Sequence, residues 1–400
     1  MVATTAAFDG LACVDCDERF SVAEATGRCP ACGGILDPQY DLSAVGLTRE
    51  ELAGRPFDTM WRYEELLPFP RERAVTLDEG ATPLVECPEL AEAWGLGRVL
   101  IKDEGRNPTG SFKDRGATAA VTAAREVGAS DVVLASAGNA GQAAAAYAAR
   151  ADLDCHVFLP SRADFVNKAM VNVHGADLTV VGGRIGDAGA AMEDALDEHE
   201  HEDWHPVQTF VTPYRHDGKK TMLYETVEAM EFEVPDAVVY PTGGGVGLVG
   251  MHKGATELRE LGLIDELPSM VVAQSEDCAP IVSAYEAGRD RHEPWATPDT
   301  VCGGIEIPDP GASPLVLDAV RESGGTAVAT GDDAILDAGV EVARATGAEM
   351  GATCAAAASG ARRLAAEDEL GEDDTVVLLN TAAGSKSADL LRSHLMGQGT

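Results

Sequence analysis

The chain predicts an α/β fold, with mostly parallel, twisted sheets flanked by helices, divided over two domains behind a small cysteine-bearing segment. Three observations carry this. Short apolar runs alternate with helical runs from about residue 99 onward, the pattern of parallel strands joined by crossover helices. Glycine-rich loops fall where an apolar run gives way to a helix. The 400 residues, 45% of them hydrophobic, exceed what one core usually supports.

The opening segment carries Cys13-x2-Cys16 and Cys29-x2-Cys32, with twelve residues between the pairs. Each pair can fold back to aim both sulfurs at one point, and Pro30, Gly33 and Gly34 supply the tight-turn residues. Four thiolates at this spacing make a closed tetrahedral site, the usual structural zinc arrangement; iron also suits such a set. About forty residues are too few to build a core alone, so a metal staple has a clear role. With four protein ligands no position stays open for catalysis. Cys87, Cys155, Cys278, Cys302 and Cys354 are scattered, and Cys155 reads as a small core residue.

Residues 41–75 link this segment to the body. Strands are expected at 99–101, 132–135, 155–159, 238–240, 270–273 and 376–379, and helices at 117–125, at 141–150 and from the glycine loop through 261.

The formal charge is −37, from 67 acidic and 30 basic residues. Such a chain repels nucleic-acid phosphates and anionic membranes, which argues against both as partners. The excess is dispersed, and acidic runs such as Glu193, Asp194, Glu198, Glu200, Glu202 and Asp203 read as solvated helix faces. Dispersed acid with only seven lysines is expected of a halophile's protein, in which salt screens self-repulsion. No basic start with a long apolar core and no run of eighteen apolar residues is present, so a cytoplasmic location with reduced cysteines is expected.

The most specific stretch is Asn107-Pro108-Thr109-Gly110-Ser111-Phe112-Lys113-Asp114-Arg115-Gly116. Pro108 and Gly110 close a turn ahead of an alanine-rich helix, so Lys113 falls near a helix N-terminus. The positive end of the helix dipole disfavours an ammonium there. A lysine that loses its proton easily is a nucleophilic amine, as a Schiff-base lysine must be.

Three further loops follow apolar runs. Ser136-Ala137-Gly138-Asn139-Ala140-Gly141 lets backbone amides converge where a helix starts, which suits a carboxylate. Gly243, Gly244, Gly245, Val246 and Gly247 place four glycines in five positions, an entropic cost that a phosphate-holding nest explains. No Gly-Lys-Ser/Thr follows, and the dinucleotide spacing is absent. Leu379-Asn380-Thr381-Ala382-Ala383-Gly384 closes the series. Finally, Tyr214-Arg215-His216-Asp217-Gly218-Lys219-Lys220-Thr221 gathers cations in a strongly acidic chain, which points to a dianionic ligand group.

In this order the motifs resemble those of fold type II pyridoxal-phosphate (PLP) enzymes, in particular the threonine synthase group; Asp78 to Leu84 and the 214–221 segment extend the match. The resemblance implies that Lys113 carries PLP, that Asn139 bonds the cofactor's ring oxygen and that residues 243–247 grip its phosphate. It places Thr381 against the pyridine nitrogen. Ser136, Ala137 and Gly138 would receive the amino-acid carboxylate, and Arg215 or Lys220 the substrate phosphate. The implied reaction converts O-phospho-L-homoserine and water to L-threonine and phosphate. A related lyase or synthase acting on serine, threonine or O-phosphoserine is the alternative, as is a non-catalytic PLP-binding paralogue. The implied domains are a zinc-ribbon-like segment at 1–40, a large PLP-binding domain at 41–118 and 214–400, and a small one at 119–213, with pairing as a homodimer. The chain departs from the family pattern at Ala137, at Ala382, at Thr212 and Lys219, and at Glu349-Met350, where the family shows Pro-Glu.

Overall fold

A computed structural model describes residues 2–198 and 204–397; Glu200, Glu202 and Asp203 of the acidic run lie outside the described residues. In chain order the strands are β1 (Phe8–Cys13), β2 (Arg19–Phe20), β3 (Leu36–Tyr40), β4 (Leu84–Glu86), β5 (Arg98–Asp103), β6 (Asp131–Ala135), β7 (Asp154–Pro160), β8 (Asp177–Val181), β9 (Trp204–Pro206), β10 (Ala237–Pro241), β11 (Ser269–Ser275), β12 (Ala327–Thr330) and β13 (Thr375–Asn380). They form two units. One holds residues 1–81, 113–222 and 260–263, the other 82–112, 223–259 and 264–400.

The first unit contains two sheets. The smaller, β2-β1-β3, is antiparallel, and β1 lies against β3 with Cys13 opposite Leu36. It has no core of its own. Leu11, Leu36 and Val22 bury their side chains with Trp61, Phe69, Ala119, Ala123 and Tyr214, so the helix Lys113–Val127 serves as its floor. Buried Glu79 ties this region together by accepting from Trp61 Nε1 at 2.8 Å and Tyr147 OH at 2.7 Å. The larger sheet, β8-β7-β6-β9, is wholly parallel. Its apolar strands and the alanine-rich helix Asn139–Ala151 share a core of Val132, Leu134, Ala144, Ala145, Ala148, Val157 and Leu159. The helix Ile185–Glu198 keeps Glu193 and Asp194 exposed, as expected of a solvated face.

The second unit is built on β12-β11-β10-β13-β5-β4, parallel except for β4. The central strand β13 is buried from Val376 to Asn380, as a strand covered on both faces must be. The helix Ala355–Ala366 lies on this sheet through four consecutive alanines. A side chain at its Gly360 would come within 2.9 Å of Val328 Cγ1, so small residues set how closely helix and sheet approach. Because β10, β13 and β5 run parallel and adjacent, the loops after Pro241, Asn380 and Asp103 leave from one edge. Ligands of open α/β sheets bind at this carboxyl edge.

Candidate active site

In the first unit, Lys113 opens the helix Lys113–Val127. This helix crosses Tyr214–Lys219 at two glycines. A Cβ on Gly116 would lie 2.9 Å from the Arg215 carbonyl, and one on Gly218 would strike the Arg115 carbonyl. The close crossing sets Arg215 beside Lys113. Burial, and after it the Arg215 charge, lowers the Lys113 ammonium to about 7. Near neutrality much of that amine is unprotonated, which is what a nucleophile and proton carrier requires.

Arg215 itself is 1% exposed, and burial lowers its guanidinium to about 10. Nη1 donates to the Val207 carbonyl at 2.8 Å. Nε and Nη2 are buried with no hydrogen-bond partner. Two spare donors on a planar fork are a ready site for a bidentate oxyanion, and a charge left so would otherwise be costly. Lys220 is differently placed. Its ammonium pairs with Asp217 Oδ1 at 3.0 Å and sits 3.8 Å from the Tyr40 ring centroid. Of the two cations expected to meet a phosphate, Arg215 is the one with donors to spare.

The Ser136–Gly141 loop leaves β6 and turns directly into the helix Asn139–Ala151. Ser136 Oγ accepts from the amides of Gly138 at 3.0 Å and Gly141 at 2.9 Å, so this hydroxyl shapes the turn. Gly138 has φ +152, and a side chain there would collide with Asn167 Nδ2 at 2.6 Å. Ala137 and Asn139 are half-buried at the tip.

In the second unit, the glycine loop joins β10 to the helix Val246–Glu260. Every glycine but one is enforced by a neighbour. A Cβ on Gly243 would lie 2.8 Å from Ile307 Cγ1, one on Gly245 would overlap Val316, and one on Gly247 would overlap the Tyr240 ring; only Gly244 faces open space. Gly245 also has φ +74. The first-turn amides of the helix lack intrahelical acceptors, an arrangement that suits an anion; that of Gly247 meets the Tyr240 hydroxyl.

The loop after β13 is laced to the lysine loop. Thr381 accepts from the Phe112 amide at 3.0 Å, Ala383 donates to Gly110 O at 3.0 Å, and Ser111 bridges Ala382. Phe112, whose ring meets Tyr240 edge-on at 6.1 Å, thus fixes the residue just ahead of Lys113. Cys354, which belongs to no motif, places Sγ 3.2 Å from Thr381 Oγ1 and takes the Ala382 amide at 3.1 Å. Burial raises its thiol above the usual range, so it stays a neutral partner. Its only sequence signal was its place after Glu349-Met350. There Met350 is buried in the core, while Glu349 is exposed and its carbonyl accepts from Asn380. No carboxylate side chain is buried at either position.

The four N-terminal cysteines converge. Their sulfurs lie within 4.8 Å of one another, with Cys13–Cys32 and Cys16–Cys32 at 3.4 Å and Cys16–Cys29 at 3.7 Å. Tetrahedral zinc with Zn–S bonds of about 2.3 Å sets its sulfurs about 3.8 Å apart, so the residues present fit a metal.

Residues 75–382 match the family described as "Pyridoxal-phosphate dependent enzyme". The threonine synthase of Methanosarcina acetivorans is 37% identical over 93% of this chain and 90% of its own length. That of Methanocaldococcus jannaschii is 35% identical over 94% and 93%. Solved structures share the fold. Threonine deaminase isoform 2 from Solanum lycopersicum gives a TM-score of 0.64 at 19% identity, covering 78% of this chain and 87% of that one. A pyridoxal 5'-phosphate-dependent aspartate racemase gives 0.65 at 20% identity, covering 78% and 92%. The chain belongs to the pyridoxal-phosphate-dependent enzymes and, within them, to the threonine synthase family.

Proposed function

We propose that the chain converts O-phospho-L-homoserine and water to L-threonine and phosphate. Threonine synthases alike over nine-tenths of the chain support the reaction class. The observation that carries the substrate is Arg215, a buried guanidinium with two unspent donors, as a phosphorylated substrate needs and a plain hydroxy amino acid does not.

Bound PLP supplies an electron sink for carbanions next to the amino group. Lys113 holds the cofactor at rest, and its freed amine, poised near neutrality, then moves protons at the substrate carbons. Gly243, Gly244, Gly245, Val246 and Gly247 take the cofactor phosphate, Asn139 its ring oxygen and Thr381 its ring nitrogen, with Cys354 steadying the Thr381 hydroxyl. Ser136, Ala137 and Gly138 present the turn that receives the substrate carboxylate. Arg215 binds the phosphate that leaves, and Lys220 supports it through Asp217. Cys13, Cys16, Cys29 and Cys32 hold a structural zinc. Residues 119–213 act as a small domain, and they fall within the unit of residues 1–81, 113–222 and 260–263.

Gly245→Ala tests the phosphate grip. The left-handed backbone costs an alanine about 1–2 kcal/mol, and Val316 must also shift. PLP affinity, titrated by cofactor fluorescence, should fall at least about tenfold. Unchanged affinity would remove the loop from the cofactor site.

The charge supports a salt-adapted protein without nucleic-acid or membrane partners, and the family resemblance adds a cytoplasmic location and pairing as a homodimer. Among the described residues no helix is long and apolar enough to cross a membrane. Raising KCl from 0.1 to 2 M should lift the melting temperature by roughly 5–10 °C as self-repulsion is screened. A flat or falling melting temperature contradicts salt adaptation.

A further inference from the structure

We propose that the cysteine-clamped sheet is a positioning element for the substrate's phosphate: β3 holds the Tyr214–Lys219 segment through Asp37 and Tyr40, and thereby sets the anion affinity of Arg215. This rests on the reading of Arg215 as the phosphate ligand.

The Tyr214–Lys219 helix has six residues, too few to be stable without tertiary anchors. One anchor is its glycine crossing with Lys113–Val127. The other is β3. Tyr40 OH donates to Asp217 Oδ2 at 2.6 Å, while Asp217 Oδ1 pairs with Lys220 at 3.0 Å. The same Lys220 ammonium lies over the Tyr40 ring, 3.8 Å from its centroid. Asp37 Oδ1 meets His216 Nε2 at 2.8 Å. Residues 216, 217 and 220 therefore all answer to β3, and Arg215 stands among them with one protein hydrogen bond of its own, to Val207.

The sulfur cluster governs β3 in turn. Cys13 faces Leu36 across the β1–β3 ladder. Gly34, two residues before Leu36, donates its amide to Cys32 Sγ at 3.4 Å and its carbonyl accepts from the Cys29 amide at 2.9 Å. A Cβ on Gly34 would sit 2.7 Å from Cys13 Sγ, so the strand starts hard against the cluster. A closed four-cysteine site takes no part in the chemistry; this chain of contacts gives it a consequence for substrate affinity.

The test uses PLP-loaded full-length protein and inorganic phosphate as the probe. Binding is measured by calorimetry alongside KM and kcat for O-phospho-L-homoserine. Tyr40→Phe keeps the ring under Lys220 and removes only the hydroxyl on Asp217. It should weaken phosphate about tenfold and raise KM by a similar factor, with kcat within about twofold and the visible cofactor band unmoved. Asp37→Asn should act in the same direction. Stripping metal from the wild type with a chelator should weaken phosphate at least as much, and Tyr40→Phe should then add little. Phosphate affinity and KM unchanged in both variants, while Arg215→Ala weakens phosphate, would overturn the positioning role alone. Phosphate binding indifferent to Arg215→Ala would overturn the phosphate-ligand reading, and this inference with it.

Discussion

Replacing Lys113 by alanine should leave threonine formation from O-phospho-L-homoserine below about a thousandth of the wild-type rate. The loss is this large because, in the proposed function, one amine holds the cofactor and carries the protons. Its environment suits both roles. Burial and the neighbouring Arg215 charge bring its ammonium to about 7, against an ordinary value of 10.5. The sign of the pH dependence follows. The amine is the working form, so proton transfer should strengthen as pH rises through about 7 and weaken below it. Phosphate release in a single turnover, followed across that range, reads both predictions. Wild-type turnover by Lys113→Ala would show that another group does this work.

Arg215→Ala should raise KM for O-phospho-L-homoserine roughly a hundredfold, with a much smaller effect on cofactor binding. The guanidinium is already desolvated and two of its donors are unspent. A dianion arriving there meets a charge that water does not screen, and it relieves the cost of burying that charge. Arg215→Lys should restore little, because a point charge does not reproduce the planar fork. Lys220→Ala should also weaken binding, but with a loss of stability, since it leaves buried Asp217 without its cation. Steady-state kinetics with phosphate as competitor separates these outcomes. A KM unchanged by Arg215→Ala would move the phosphate elsewhere.

The parts of this account that were legible in sequence are those written locally. The strands 132–135, 155–159 and 376–379 appear as β6, β7 and β13, each extended by one or two residues, because continuous apolar runs suit strands covered on both faces. The helices expected at 117–125 and 141–150 appear as Lys113–Val127 and Asn139–Ala151, starting four and two residues earlier because each opens directly on the turn before it. Short strands escaped. β4 and β9 have three residues each, and β8 is largely exposed, so neither length nor hydrophobicity marks them.

Long-range pairings also escaped. Asp103 and Asn380, hydrogen-bonded at 2.8 Å, are 277 residues apart. Residues 82–112 join a unit whose other strands begin at 237 because β5 pairs with β13, and no local pattern announces that. The site divides in the same way. Lys113, Arg215 and the glycine loop are expected from motif chemistry, and the roles of Asn139 and Thr381 from the family resemblance. Cys354 beside Thr381 and Tyr40 beside Asp217 belong to no motif and emerge only when the chain is folded. Arg215 and Lys220 carry equal weight in the sequence and are equally buried in the fold; their partners tell them apart.

The most direct test of the central claim is an ultraviolet–visible spectrum of the purified protein in molar KCl, before and after O-phospho-L-homoserine, with phosphate and threonine assayed in parallel. The expected result is a band near the visible edge from lysine-bound PLP that shifts on addition of substrate, with phosphate and threonine appearing in equal amounts. A protein that shows no such band even after added PLP, or that binds PLP yet releases neither product, contradicts it.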